Sequence, residues 1–298
     1  VQSLGGTVVV MEKFDAATSL DAIERFRVTH SQWVPTMFSR MLKLPEEQRR
    51  GRDLSSHRVA IHAAAPCPPA VKRQMMDWWG PILWEYYGGT ELNGLTLIGP
   101  DEWLEHQGSV GRAVLGTIHI CDENGNELPA GEEGLIYFEL PEMPFRYHGD
   151  DEKTRSAQHP THPNWSTLGD VGRLDEEGYL YLTDRKNFMI ISGGVNIYPA
   201  EIEHVLAEHP AVLDVAVIGV PNEEFGEEVK AVVQLAPGAA ESAELAEELL
   251  EFCRRRLAHY KCPRSVDFIA ELPRLPTGKL YKRILRERYW GERNSRIV

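Results

Sequence analysis

Residues 165–201 read WSTLGDVGRLDEEGYLYLTDRKNFMIISGGVNIYPAE, and this stretch decides how the chain folds. Two short β-type runs, Val171–Leu174 and Tyr179–Thr183, flank the turn-forming residues 175–178, which end in glycine. This order predicts a β-hairpin, because glycine adopts the positive φ angles that tight turns require. The polar residues 184–187, three of them charged, then interrupt the apolar pattern and predict a joint between two parts of the chain.

An apolar strand, a glycine turn and a helix are predicted after this joint. Phe188–Ile191 resumes the apolar pattern, and Ser192-Gly193-Gly194 supplies backbone that can take positive φ or approach a ligand closely. Pro199 suits the first turn of a helix whose apolar face would be Ile202, Val205 and Leu206. Taken alone, the LGD and DR segments of this stretch could form a surface salt bridge.

The composition bounds the size and the class of the protein. With 298 residues, 42% of them hydrophobic and 26% charged, the chain can form two domains, each with its own core. A net charge of −13 argues against a general nucleic-acid-binding protein, which needs a basic face. It allows an anionic substrate, because a binding site can be locally basic. The longest apolar runs, such as Val212–Val220, are too short to span a bilayer, which predicts no transmembrane helix.

The cysteines and the beginning of the chain give weaker signals. The four cysteines, at positions 67, 121, 253 and 262, form no CxxC pair, so we expect reduced thiols in a cytosolic protein. His159 and His162 lie in a proline-rich run without a third ligand nearby, which favours an exposed loop over a metal site. The chain has no recognisable signal peptide and no initiator methionine, and we expect it to be a piece of a longer chain.

Strands and helices alternate through residues 1–99, which predicts a mainly parallel sheet. The predicted strands are Thr7–Met11, Gln32–Val34, Arg58–His62 and Ile82–Tyr86, and the predicted helices are Thr18–Val28, Met37–Leu44 and Pro69–Trp79. Glycine-punctuated strands follow, at Gly111–Ile120 and Gly134–Glu139, and favour a small β-barrel or a distorted sheet. The last part predicts a compact α+β unit with helices Pro199–Glu208 and Glu241–Ala258 and strands Val212–Val220 and Val229–Leu235.

Two turns leave strands of the predicted parallel sheet at the edge where ligands bind in such sheets. The first, Ala63-Ala64-Ala65-Pro66, offers small residues against which a flat ring could lie. The second, Tyr87-Gly88-Gly89-Thr90-Glu91, offers backbone amides and a hydroxyl to a phosphate. The carboxylate that ends it could hold Mg²⁺ between phosphate oxygens. Either segment could also be a plain turn.

In combination, these segments closely resemble the adenylate-forming superfamily of acyl-CoA synthetases, peptide-synthetase adenylation domains and luciferases. The matching segments are Ala63–Pro66, Tyr87–Glu91, Leu168–Asp170, Asp175–Tyr179, Asp184-Arg185, Gly194–Glu201 and Pro273–Lys279. Ala63 departs from the pattern, which has glycine there. The resemblance implies an α/β part (residues 1–107) and a β-barrel-like subdomain (108–185) of an incomplete N-terminal domain, followed by an α+β lid domain (186–298).

The resemblance also implies the roles of individual residues. It assigns catalysis to Lys279, Thr90 and Glu91, with Glu91 holding Mg²⁺. The nucleotide-binding set would be Ala64, Ala65, Pro66, Tyr86, Tyr87, Gly88, Gly89, Thr90, Asp170 and Arg185. Asn187 takes the place of the hinge, which is usually Asp or Lys, and Ser192, Gly193 and Gly194 would line the channel for the pantetheine of CoA. The run 254–256 favours a solvated helix end over a site for CoA phosphate.

The function implied is that of an ATP-dependent, Mg²⁺-dependent acyl-CoA synthetase, which activates a fatty or related acid as an acyl-adenylate and transfers it to CoA. The alternatives are an adenylation enzyme that loads a carrier protein, and a non-catalytic nucleotide-binding fragment. The family's phosphate-binding loop ending in PKG is not found in these residues, so we expect a fragment with little or no activity alone. Trp33, Gly88 and Gly89 could line an acyl pocket. Packing within the protein core is the alternative explanation for the aromatic residue. Homodimerisation and peripheral membrane association are left open for a cytoplasmic protein.

Overall fold

The computed structural model describes residues 1–185, 188–274 and 280–291. Its helices are α1 (Ala16–Phe26), α2 (Pro35–Leu42), α3 (Glu46–Arg50), α4 (Pro69–Trp79), α5 (Pro100–Glu105), α6 (Asp151–Ser156), α7 (Pro199–Ala207), α8 (Ala243–Arg254) and α9 (Lys282–Trp290). Its strands are β1 (His30–Trp33), β2 (Val59–His62), β3 (Leu83–Gly88), β4 (Leu95–Ile98), β5 (Arg112–Leu115), β6 (Thr117–Cys121), β7 (Gly134–Glu139), β8 (Trp165–Ser166), β9 (Asp170–Leu174), β10 (Leu180–Arg185), β11 (Ile190–Ser192), β12 (Val195–Ile197), β13 (Val212–Asn222), β14 (Gly226–Leu235) and β15 (Ser265–Phe268). Within the described ranges, no helix has the length and apolar character needed to cross a membrane.

The chain divides into two compact units. The first comprises Val1–Tyr86 and Ile98–Gln107, and the second comprises Tyr87–Leu97 and Gly108–Val298. In the first unit, β1 pairs with β2 and β2 with β3, all in parallel, which confirms the predicted parallel arrangement. Helix α4 has the predicted bounds, and it begins at a proline, which needs no amide partner there.

The first predicted strand is wrong, because residues 6–11 form no strand. Val8, Val9 and Val10 are 48%, 40% and 82% exposed, and the described residues provide no strand that pairs with them. A β-branched run favours extended backbone, but a strand also needs a neighbour that accepts its hydrogen bonds. The helix predicted at Met37–Leu44 is observed at Pro35–Leu42, and α3, which follows it, was not predicted.

The glycine-punctuated part of the second unit forms an open sheet in the order β10-β9-β7-β6, with β8 paired to β7. The barrel expectation is therefore wrong for the described residues, and the distorted sheet is confirmed. Gly116, with φ of 79°, separates β5 from β6 inside what the sequence predicted as one strand. The predicted hairpin is confirmed, with β9 and β10 antiparallel around the turn.

The C-terminal region of the second unit is the predicted α+β unit. Its sheet has the order β12-β11-β14-β13, and β15 adds to β14 in parallel. β13 and β14 pair from Val212 to Asn222, so the two strands extend past the predicted bounds at Val220 and Val229. α8 begins later than predicted, at Ala243, because the hydroxyl of Ser242 accepts a hydrogen bond from the amide of Leu245. The domain boundaries after residues 107 and 185 stay predictions.

Candidate active site

The end of β3 and the start of β9 bring two predicted site residues into contact. The phenol of Tyr87 donates a hydrogen bond of 2.7 Å to Oδ2 of Asp170, although the two residues are 83 positions apart. Asp170 is only 6% exposed. It follows Gly169, whose φ of 79° strongly favours glycine. The tyrosine of the YGGTE segment and the aspartate of the LGD segment are thus in direct contact.

The arginine of the DR segment lies beside this pair along the backbone. Arg185 is the last residue of β10, and its Cα is the register partner of the Cα of Asp170 in the antiparallel pairing of β10 with β9. The side chain of Arg185 lies outside the described part of the structure. Three sequence segments therefore converge at the Tyr87–Asp170 contact.

The glycine pair of the YGGTE segment is required by close packing within the protein. A Cβ on Gly89 would lie 2.3 Å from Cδ1 of Leu168, and one on Gly88 would lie 2.9 Å from the carbonyl oxygen of Gly94. Both distances are shorter than ordinary contacts. Packing within the protein is thus sufficient to explain why both positions are glycine, and no acyl chain beside them is needed for this explanation.

The carboxylate of Glu91 is held by a residue that the sequence analysis did not select. The phenol of Tyr147 donates a hydrogen bond of 3.1 Å to Oε1 of Glu91. Oε2 lies on the side of Gly89, at 2.9 Å from the position that a Cβ of that residue would take. Thr90, between these residues, is exposed. Tyr147 begins the segment YHGDDEKT, residues 147–154. The pattern of this segment does not indicate that Tyr147 contacts Glu91, which is 56 positions away in the sequence.

The carboxylate of Glu91 could supply one ligand to a divalent cation whose other ligands are water and phosphate oxygens. The described residues contain no group of three or more His, Cys, Asp or Glu side chains placed to hold a metal. Mg²⁺ binds through one or two carboxylates together with water and phosphate oxygens, so a single carboxylate next to a phosphate site suits it. A cation such as Zn²⁺, which takes three or four protein ligands, does not fit this donor set.

In the first unit, the last three residues of the AAAP segment are exposed, and one of them has a strained backbone. Ala64 has a φ of 75°, in the left-handed region that alanine seldom adopts. Ala64, Ala65 and Pro66 are all exposed. The side chain of Tyr86 accepts a hydrogen bond of 3.0 Å from Nε2 of Gln32.

Trp33 belongs to an aromatic cluster of the first unit. It is 8% exposed, and its ring centroid lies 6.2 Å from that of Phe38 and 5.7 Å from that of Trp79. Its indole donates to the hydroxyl of Ser31. This environment accounts for Trp33 by core packing, the alternative to the acyl-pocket hypothesis.

The first unit also buries ionisable groups that the sequence analysis missed. Nζ of Lys72, which is fully buried, lies 2.7 Å from Oε2 of Glu85 and 4.7 Å from the ring centroid of Trp103. Burial raises the pKa of Glu85, and the charge of Lys72 opposes this shift. Burial lowers the pKa of the nearby His62 well below its usual value, and it lowers that of His57 to about 4.

The predicted glycine turn of the C-terminal region is a two-residue hairpin between β11 and β12. Ser192 is the register partner of Val195, and Gly193 and Gly194 have φ of 57° and 81°. Positive φ at both central residues is typical of a type I′ turn. The amide of Gly193 donates to the carbonyl of Phe225 at 2.9 Å, which ties the turn to the end of the β13–β14 connection.

A cavity of about 360 Å³ lies against this turn and was not foreseen. Its lining combines cationic and aromatic side chains: Ser192, Phe225, Val229, Arg254, His259, Tyr260, Cys262, Pro263 and Arg264. The guanidinium of Arg264 lies 4.3 Å from the ring centroid of Phe225. Arg254 is also paired with Glu247 at 2.6 Å, as expected of an exposed helix end. The lining comes from several separate segments, so no single motif could reveal the cavity.

Two predicted site residues, Lys279 and Asn187, lie outside the described residues. The residues that flank the first of them are described. Arg274 and Leu280 form an isolated antiparallel bridge, and α9 follows. Nζ of Lys282, at the start of α9, lies 2.7 Å from Oε1 of Glu203 on α7.

The described residues form a mixed α/β architecture with an α+β C-terminal region, in which segments that resemble the adenylate-forming superfamily converge. The family model described as AMP-binding enzyme matches residues 2–147, and that of the AMP-binding enzyme C-terminal domain matches residues 201–279. The chain belongs to this family of AMP-binding, adenylate-forming enzymes.

The chain is similar to known CoA ligases in sequence and in structure. The chain is 38% identical to a feruloyl-CoA synthase of Amycolatopsis over 96% of its length and 57% of the relative's. It is 36% identical to a long-chain-fatty-acid–CoA ligase of Mycobacterium tuberculosis over 96% of its length and 55% of the relative's. The o-succinylbenzoate CoA synthetase of Bacillus subtilis, solved with its acyl-adenylate intermediate, superposes with a TM-score of 0.77 at 31% identity, covering 95% of this chain and 56% of that one. The chain thus spans about half the length of the curated relatives it matches.

Proposed function

We propose that this chain serves in the ATP-dependent conversion of a carboxylic acid to its CoA thioester, with an acyl-adenylate as intermediate. The observation that carries the proposal is the contact of Tyr87 with Asp170, beside the backbone of Arg185. A carboxylate can accept hydrogen bonds from both ribose hydroxyls, and an aromatic ring beside it can pack against adenine. The proposed site is therefore an AMP site.

In the first half-reaction, a carboxylate oxygen of the acid attacks the α-phosphorus of ATP, and the bond to pyrophosphate breaks. This step brings anions together, so it needs fixed cations and donors where negative charge accumulates. We assign phosphate contact to Thr90, the cation-binding carboxylate to Glu91, and the cationic contact to the acid and the α-phosphate to Lys279. A bound Mg²⁺ would supply charge neutralisation at the phosphates.

In the second half-reaction, the thiolate of CoA attacks the acyl carbon, and the bond to AMP breaks. We assign the pantetheine path to the Gly193-Gly194 turn, where a Cβ on Gly194 would meet no other atom within 4 Å. The cavity beside Ser192 supports CoA as the acceptor, because its arginines suit phosphate and its aromatic rings suit adenine. This observation favours CoA over a carrier protein. Asn187 as hinge, residues 186–298 as lid and a fatty or aromatic acid as substrate belong to the same proposal.

The experiment measures AMP binding by calorimetry and AMP release with ATP, Mg²⁺, CoA and a panel of fatty and aromatic acids. Asp170→Asn should weaken AMP binding about 10- to 100-fold, because it removes charge-assisted hydrogen bonds of about 1.5–3 kcal/mol. Asp175→Asn is the matched control, since Asp175 also accepts a hydrogen bond from a tyrosine phenol but lies in the hairpin turn. Acid-dependent AMP release that Lys279→Ala abolishes would support the ligase.

The contrary results are equally specific. Equal AMP affinity in Asp170→Asn and the wild-type chain would refute the nucleotide site. AMP binding without any acid-dependent AMP release would favour the non-catalytic alternative for this chain. Release of AMP that does not depend on CoA, with an acylated carrier protein as product, would favour the carrier-loading alternative.

A further inference from the structure

The Glu91 carboxylate is held in a defined orientation by one phenol. Oε1 accepts the hydrogen bond from Tyr147, at 3.1 Å, and Oε2 lies on the side of Gly89, 2.9 Å from the position that a Cβ of that residue would take. A carboxylate whose two oxygens have different environments offers one of them to a cation while the other stays bound to the protein. Carboxylates that ligate metals are commonly fixed by such an outer hydrogen bond.

Tyr147 is itself fixed from several directions by its own segment. Its amide donates to Oγ1 of Thr154 at 3.0 Å, and that hydroxyl donates to the carbonyl of Asp150 at 2.9 Å. The ammonium of Lys153 lies 4.0 Å from the centroid of the Tyr147 ring, and the ring of Phe145 packs edge-on at 5.2 Å. The phenol therefore reaches Glu91 from a backbone and a ring that are both held in place.

We propose that Tyr147 is a positioning residue, which orients Glu91 so that Oε2 faces the divalent cation of the bound nucleotide. The inference rests on the proposed function, because it concerns the cation of that site. Tyr147 touches neither the substrate nor the reacting atoms in this role. It acts through the carboxylate, by fixing which oxygen is free to bind the cation.

The chain offers a matched control at Tyr181. Its phenol donates to Oδ2 of Asp175 at 3.2 Å, and the guanidinium of Arg173 lies 4.4 Å from its ring centroid. Tyr181 thus has the same two kinds of contact as Tyr147, a carboxylate on the phenol and a cation over the ring. Its partner, however, lies in the β9–β10 turn. Phenylalanine at either position keeps the ring and removes only the hydroxyl.

The test measures binding of Mn²⁺–α,β-methylene-ATP to the chain, by the enhancement of water proton relaxation that distinguishes protein-bound Mn²⁺–nucleotide from the free complex. AMP affinity without metal is measured in parallel. Tyr147→Phe should weaken Mn²⁺ binding about tenfold, because the fixed oxygen is released. AMP affinity should change by less than about twofold, since it does not involve the cation. Tyr181→Phe should change neither quantity.

A double-variant cycle makes the mechanism specific. In a Glu91→Gln background, the substitution Tyr147→Phe should cause no further loss of Mn²⁺ binding, because its effect passes through the carboxylate. Unchanged Mn²⁺ affinity in Tyr147→Phe, or an equal loss in Tyr181→Phe, would overturn the inference and leave the proposed function standing. A wild-type chain that binds AMP but no Mn²⁺–nucleotide would overturn the inference and the role of Glu91. A wild-type chain that binds neither would overturn the proposed function as well.

Discussion

The first unit and the C-terminal α+β region have cores of different chemistry. Between β13, β14, α7 and α8, the C-terminal core is formed by aliphatic side chains and cysteines, and Leu249 at its centre is fully buried. The first unit buries Lys72 against Glu85, with His62 at 3.6 Å from the same carboxylate. Both cores exclude water, but ionisable side chains lie within the first, and the second consists of aliphatic side chains and cysteines.

This difference implies that the two regions respond differently to pH. Apolar burial stabilises to the same extent at pH 5 and pH 8, since no group titrates. A buried carboxyl or imidazole that differs in pKa between the folded and unfolded protein makes the free energy of unfolding depend on pH. The following substitutions test this comparison, from the largest expected effect to the smallest.

Lys72→Met should lower the free energy of unfolding by about 3–5 kcal/mol at pH 8, because it leaves the buried Glu85 without its partner. The pKa of Glu85 is already raised by burial, and removal of Lys72 raises it further. The folded protein then holds a proton that the unfolded chain releases, so stability falls as pH rises through this window. The deficit should therefore be smaller at pH 5 than at pH 8 in urea titrations. Glu85→Gln in the same variant should recover part of the loss, and an unchanged deficit at both pH values would contradict the comparison.

Leu249→Ala should cost about 2–5 kcal/mol, because it removes a fully buried side chain from the C-terminal apolar core. This loss should be equal at pH 5 and pH 8, in contrast to that of Lys72→Met. Leu245→Ala, on the same helix but only partly buried, serves as the control and should cost less. A pH-dependent loss in Leu249→Ala would show that the two cores do not differ in the way described.

His57→Gln should protect the protein against acid. His57 is buried, and its pKa of about 4 lies below the unfolded value of about 6.5. Between these values the unfolded chain binds a proton that the folded protein does not, so wild-type stability falls as pH decreases from 6.5 to 4. The variant should lose about 2 kcal/mol less than the wild type between pH 7 and 4.5. The exposed His148→Gln should behave as the wild type, and equal acid sensitivity of all three proteins would refute this role of His57.

Ala64→Gly should have the smallest effect, a gain of up to about 1 kcal/mol. Alanine in the left-handed region is strained by about 1–2 kcal/mol, and glycine relieves this strain. Part of the gain is offset because glycine has greater conformational freedom in the unfolded chain. Ala65, which does not have a positive φ, provides the control: Ala65→Gly should give no gain. Thermal unfolding measures the stability of both variants. A loss of stability in Ala64→Gly would contradict the claim that the backbone of Ala64 is strained.

Local patterns predicted most of the elements. Pro69–Trp79 begins at a proline and has apolar residues at helical spacing, and its helix has the predicted bounds. The glycine turn at Gly193-Gly194 and the hairpin of β9 with β10 are also local, because they depend on backbone angles that few residues adopt. The strand predicted at Thr7–Met11 is not observed, because a strand also requires a hydrogen-bonded partner, which is distant in the sequence.

The sequence alone determined the motifs that resemble the family and most of the helices and strands, because motif spacing and backbone preferences are local properties. The tertiary structure alone decided that Tyr87 contacts Asp170, that Tyr147 holds Glu91 and that a cavity forms against the Ser192 turn. It also decided that Lys72 and Glu85 are buried together. These contacts join residues far apart in the chain, and their formation depends on how the sheets and helices pack rather than on any local preference.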